Sequence, residues 1–128
     1  MKSYKGYKDL IVYQKAIKLS MIIHKITQSY PVEEKYSLTD QIRRSSRSIG
    51  ANIAESWPKR IYPKSFVAKL IDAQAEASET NHWIDVSLTH SYINKAHHAQ
   101  ISNIIEEILK MLDSMIMKPE KFIRKRNL

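Results

Sequence analysis

Val12, Ala16, Leu19, Ile23, Ile26 and Tyr30 recur at spacings of four and three, and only an α-helix brings such positions onto one side. This first helix is predicted from Asp9, and Pro31 ends it by steering the preceding residue out of the α region. Leu10, Tyr13, Ile17 and Met21 form a second apolar line on the same helix, so it is expected to meet neighbours on more than one side. A second helix is predicted after Ser37, where Ser37-Leu38-Thr39-Asp40 has the shape of an N-cap with an acid three positions on. Leu38, Ile42, Ile49 and Ile53 are its apolar stripe. Beside them Ser46, Gly50 and Ala54 fall at intervals of four, a ridge of small residues that lets another helix approach closely.

Trp57-Pro58-Lys59-Arg60-Ile61-Tyr62-Pro63 breaks the pattern and reads as a loop. Pro63 suits the first turn of a third helix. There Phe66, Leu70, Ala73, Ala77, Ile84 and Leu88 trace a stripe to about His90, roughly 40 Å at 1.5 Å per residue. Asn94 is predicted to cap a fourth helix, which carries Ile101, Ile105, Ile108, Leu112 and Met115 and closes at Lys118-Pro119. Four helices with short joints predict an all-α, antiparallel up-down-up-down four-helix bundle. It is expected as one domain over residues 1–119, followed by a basic, frayed tail over residues 120–128.

Composition narrows the alternatives. Two glycines among 128 residues are too few for the hairpin turns of a sandwich or barrel. With no cysteine, disulfides, thiolate zinc sites, iron–sulfur clusters and a cysteine nucleophile are excluded. No apolar run approaches the ~18 residues of a membrane span, so no membrane partner and a cytoplasmic location are expected. The net charge of +8 favours a polyanionic partner, nucleic acid or an acidic protein surface.

Signals for chemistry are sparse. His24, His82, His90, His97 and His98 include no pair at the spacing that makes a helical zinc site. Asp72, Glu76 and Glu79 lie at spacings ordinary for salt bridges. No metal, cofactor or catalytic residue is expected, and the chain reads as a non-enzyme. Asn52 and Glu55 share a face beside the small-residue ridge. They are expected as a half-buried structural polar pair, with Glu55 held by an arginine or lysine.

The basic residues carry more. Arg43, Arg44 and Arg47 fall within two turns of the second helix, and Lys59, Arg60 and Lys64 follow in the predicted loop. Arginine offers a planar fork that fits phosphate, and Trp57 and Tyr62 beside Lys59 and Arg60 suit base stacking. These six cations are the candidate nucleic-acid-binding residues. The competing reading is a surface charged only for solubility.

The stretch Tyr36-Ser37-Leu38-Thr39-Asp40-Gln41-Ile42-Arg43-Arg44-Ser45-Ser46-Arg47-Ser48-Ile49, followed by Ala51-Asn52-Ile53-Ala54-Glu55, resembles the four-helix-bundle proteins encoded in intervening sequences of 23S ribosomal RNA genes. Tyr7-Lys8-Asp9-Leu10-Ile11-Val12-Tyr13-Gln14-Lys15-Ala16 and Glu76-Ala77-Ser78-Glu79-Thr80-Asn81-His82-Trp83-Ile84 are similar to that family's first and third helices. The resemblance implies a left-handed bundle assembled as a ring-like homopentamer. It also implies kinship with the accessory variability determinant of diversity-generating retroelements, a basic pentamer that works with a reverse transcriptase and RNA. Relatives often carry a basic run after the tryptophan, where this chain has Pro58 and Ile61. The functional expectation is a non-enzymatic, oligomeric protein that binds RNA or DNA through backbone electrostatics or serves as a scaffold. The alternative is a protein–protein adaptor docking an acidic partner such as a polymerase or nuclease.

Overall fold

The apolar stripes close on one another. Leu19, Ile23, Ile42, Ile49, Ile53, Phe66, Leu70, Ile84, Ile101, Ile105, Ile108 and Leu112 are fully buried side chains of one core. The computed structural model describes residues 4–124. Its helices are α1 (Ile11–Thr27), α2 (Leu38–Ser56), α3 (Pro63–Thr89) and α4 (Lys95–Met117), and the described residues contain no strand. Helices consecutive in sequence pack side by side and α4 closes onto α1, an antiparallel four-helix bundle.

The joints explain where helices start and stop. Asn94 caps α4 as its sequence position predicts, its Oδ1 accepting the His97 N–H at 2.8 Å. Ser37 does not act in that way. Its side chain makes no cap bond, and the Leu38 N–H instead donates to Glu34 Oε1 at 3.4 Å, from the 3-10 turn Val32–Glu34. At the end of α3, Ser91 takes a left-handed φ of 61°. Its N–H donates to the Leu88 carbonyl and the Tyr92 N–H to the Ser87 carbonyl, both at 2.9 Å, which completes a Schellman cap.

The Trp57–Pro63 stretch is not a projecting loop. Trp57–Ile61 winds a 3-10 turn straight off the end of α2, and Trp57 is buried beneath it, only 7% exposed. Tyr4 meets that indole edge-on at 5.7 Å. Phe122 packs against Tyr4 at 5.9 Å and Phe66 at 6.3 Å. The Arg124 N–H donates to the Arg60 carbonyl at 3.2 Å. Residues 120–124, expected to fray, are therefore seated on the bundle because Phe122 has apolar surface to cover. The rest of the expected tail, residues 125–128, lies outside the described residues.

Candidate nucleic-acid interface

Arg43, Arg44 and Arg47 leave the solvent side of α2 in different directions. Arg43 leans to α1, where its Nε donates to Thr27 Oγ1 at 2.8 Å and its Nη2 reaches the His24 carbonyl at 3.5 Å. Arg47 leans the same way, with its Nη2 3.5 Å from His24 Nδ1. Arg44 leans to α3, its Nη2 2.9 Å from Glu79 Oε2 and its Nη1 4.0 Å from Glu76 Oε1. The three differ in what they leave uncompensated. Arg43 and Arg47 are oriented by neutral oxygens and a histidine nitrogen, so their positive charge remains available to a ligand. Arg44 is held by two carboxylates, which offset its charge.

An open groove of about 550 Å³ runs between these side chains, lined by Lys35, Tyr36, Thr39, Asp40, Arg43, Arg44, Arg47, Ser48 and Ala51. Four cations face one carboxylate, Asp40, and the balance favours an anion. Hydroxyls of Thr39 and Ser48 add donors of the kind phosphate oxygens accept. Sequence reasoning did not select Lys35, Tyr36 or the α1 supports Thr27 and His24. A 3-10 turn brings Tyr36 to the mouth of the groove, and no short-range pattern reports that.

Lys59, Arg60 and Lys64 stand apart from this groove, at the far end of α2 and the start of α3. Lys59 and Lys64 are exposed. Arg60 is turned inward. Its guanidinium lies 3.7 Å from the Trp57 ring centroid and its Nε donates to the Trp57 carbonyl at 2.8 Å. Burial, with Arg124 nearby, pushes its pKa down. The expectation that Trp57 offers a stacking face to bases is thus corrected: the indole is spent on Arg60, Tyr4 and the core.

Asn52 and Glu55 do share a partner, Lys69 on α3. Its Nζ lies 2.6 Å from Glu55 Oε2 and 3.0 Å from Asn52 Oδ1, with Asp72 at 3.8 Å. The bond to Lys69 holds the Glu55 carboxyl below its ordinary pKa. Half-burial is corrected for the acid, whose side chain is 58% exposed, because Glu55 lies on the rim of the α2–α3 contact. Asn52 is partly buried and also donates from Nδ2 to the Ser48 carbonyl at 2.9 Å.

Glu76 is the unusual acid. Its Oε2 is shut away from solvent without a hydrogen-bond partner. Burial first, and the neighbouring Glu79 second, raise its pKa above the ordinary 4.5, against the pull of Arg44. Among the described residues no three histidines or carboxylates gather as a metal site requires, and no helix is long and apolar enough to cross a membrane.

Residues 8–114 match the sequence profile of the 23S rRNA-intervening sequence proteins. The chain belongs to that family. A crystal structure of a protein of unknown function from the S23 ribosomal protein family of Bacteroides thetaiotaomicron is similar to it. The two are 32% identical with a TM-score of 0.74, over 83% of this chain and 98% of that one. Curated proteins give no match. Within this intervening-sequence family member, the arginine groove falls wholly inside the matched range, whereas the Phe122 contacts fall beyond it.

Proposed function

We propose that this intervening-sequence protein is a non-enzymatic, homo-oligomeric RNA-binding protein or scaffold whose ligand lies along the arginine face of α2. The observation that carries the reading is the contrast among the three arginines. Arg43 is held by the Thr27 hydroxyl, Arg47 rests 3.5 Å from a His24 ring nitrogen, and neither is paired with a carboxylate among the described residues, which leaves two uncompensated guanidiniums in one groove. Such forks bind phosphate oxygens bidentately, and phosphate contacts set affinity with little sequence readout.

Assembly extends the argument. On the second apolar line of α1, Leu10 is buried within the bundle and Tyr13 packs against Tyr7 at 4.9 Å. Ile17 and Met21, however, remain 41% and 67% exposed. A further copy of the chain covering Ile17 and Met21 accounts for that exposure, and repetition of the groove around a homopentamer would multiply a modest local charge.

A filter-binding titration tests the reading. Wild type should retain single-stranded RNA at about 50 mM salt and release much of it by about 200 mM, and Arg43→Ala with Arg47→Ala should abolish most retention while the oligomer stays intact. Absence of wild-type binding at the lower salt would reject the reading and favour an adaptor for an acidic protein.

A further inference from the structure

Tyr36 is 85% exposed, so its ring buries little surface within the bundle and presents it to solvent. It is not loosely attached. The Ser37 N–H donates to the Glu34 carbonyl at 3.0 Å and the Lys35 N–H to the Val32 carbonyl at 3.1 Å. Glu34 itself is pinned to the opposite joint, where its Oε2 accepts the Tyr92 hydroxyl at 2.8 Å. The backbone that carries the ring is thus fixed on both sides. The Lys35 ammonium stands 5.4 Å from the ring centroid, and the ring lines the same groove as Arg43 and Arg47.

We propose that Tyr36 is a stacking platform for an unpaired base, so that the groove takes a single-stranded nucleic acid and discriminates against a duplex. The inference rests on the nucleic-acid reading above and deepens it by naming the class of strand. Its logic is chemical. Arginines beside a basic groove recognise any polyphosphate, paired or not. An exposed, rigidly based aromatic ring adds affinity only when a base offers its face, and in a duplex both faces of every internal base are already stacked. Base–aromatic stacking tolerates every base, so the site favours strands without favouring a sequence. The cations then track the backbone while Tyr36 holds a base against the start of α2. Of the two aromatics beside Lys59 and Arg60, Trp57 is excluded from this role by its burial under Arg60, and Tyr62, 54% exposed, does not line the arginine groove.

Three probes of matched charge separate the contributions: a single-stranded oligoadenylate, a blunt RNA duplex, and inorganic polyphosphate, which has no bases. Each is titrated against wild type, Tyr36→Leu and Tyr36→Phe, with thermal melts and light scattering confirming that the exposed substitutions leave fold and assembly intact. Wild type should bind the single strand more tightly than the other two. Tyr36→Leu should lose roughly tenfold or more on the single strand alone, as removal of one stacked base does. Tyr36→Phe should retain wild-type binding, since the ring and not the hydroxyl does the stacking. Equal losses on all three probes, or no loss on any, would overturn the stacking role while leaving electrostatic binding in place. Failure of wild type to bind any probe at about 50 mM salt would overturn both.

Discussion

Arg44 spans the gap from α2 to α3 and places its Nη2 2.9 Å from Oε2 of Glu79. The same carboxylate oxygen accepts the Trp83 indole N–H at 3.1 Å, so Glu79 fixes one arginine of the groove while neutralising it. Glu79→Gln should release that charge to a ligand and tighten RNA binding at fixed salt. Because both partners are partly exposed, the cost in stability should stay within about 1 kcal/mol. Paired urea melts and RNA titrations check this, and weaker binding by the variant would show that the Glu79 bond orients Arg44 for its ligand.

Glu76 predicts a pH signature with a definite sign. A carboxyl whose folded pKa lies above its unfolded value stabilises the fold fully at pH below the unfolded value. That contribution is lost as pH rises through the folded value. Glu76→Gln should therefore melt close to wild type in acid and above it at neutral pH. Glu55 and Glu107 are shifted the opposite way by bonds to Lys69 and Lys15, but their effects cancel between the two proteins. Urea midpoints from about pH 3 to about pH 7 measure the gap, and a constant gap would contradict the assignment.

Two exchanges involving glycine probe the α1–α2 contact and the end of α3. A Cβ built on Gly50 would sit 3.6 Å from Tyr13 Cε1, 3.8 Å from Ile17 Cδ1 and 3.9 Å from Ala16 Cβ, all ordinary contacts. Gly50→Ala should then stabilise the protein by about 1 kcal/mol through helix propensity. Ser91→Gly should gain a similar amount, about 1 kcal/mol, by relieving a left-handed φ. Calorimetry of each variant is the check, and a loss for Gly50→Ala would mean that α1 and α2 approach too closely for a methyl group.

Ile17→Lys should dissociate the proposed homo-oligomer while keeping the helical circular dichroism signal. Ile17 is exposed in the isolated chain, so a lysine there costs the bundle itself little. Light scattering at micromolar concentration decides, and a monomeric wild type would remove the assembly proposal altogether.

The four stripes were legible because a buried helix face must repeat at its own period: among the predicted stripe positions only Ile26 and Leu88 are partly rather than wholly inside the buried core. Asn94 was legible because its partner lies three residues away. Ser37, Trp57 and Tyr36 were not, for one physical reason. Ser37 makes no cap bond, and Glu34 reaches in from the preceding turn to accept the Leu38 N–H. The ring of Trp57 is enclosed by Tyr4 near one end of the chain, next to Phe122 near the other, so no local pattern reports its burial. Neighbouring basic residues pointed to Trp57 and Tyr62 as stacking aromatics, whereas tertiary packing buries Trp57 and leaves Tyr36 exposed at the arginine groove. The arginines were found as a cluster, but which of them keeps its charge depends on what α1 and α3 present to each.

The salt dependence of RNA affinity tests the central claim most directly. For single strands the logarithm of the association constant falls with the logarithm of salt concentration by roughly 0.7 per phosphate neutralised. Slopes should be measured for wild type, Arg47→Ala and Arg44→Ala, each confirmed as an intact assembly. The account predicts a steep wild-type slope, a clear reduction for Arg47→Ala at every copy of the groove, and a smaller one for Arg44→Ala, whose charge Glu79 and Glu76 already offset. A slope that Arg47→Ala leaves unchanged would contradict it and move the polyanion contact away from α2.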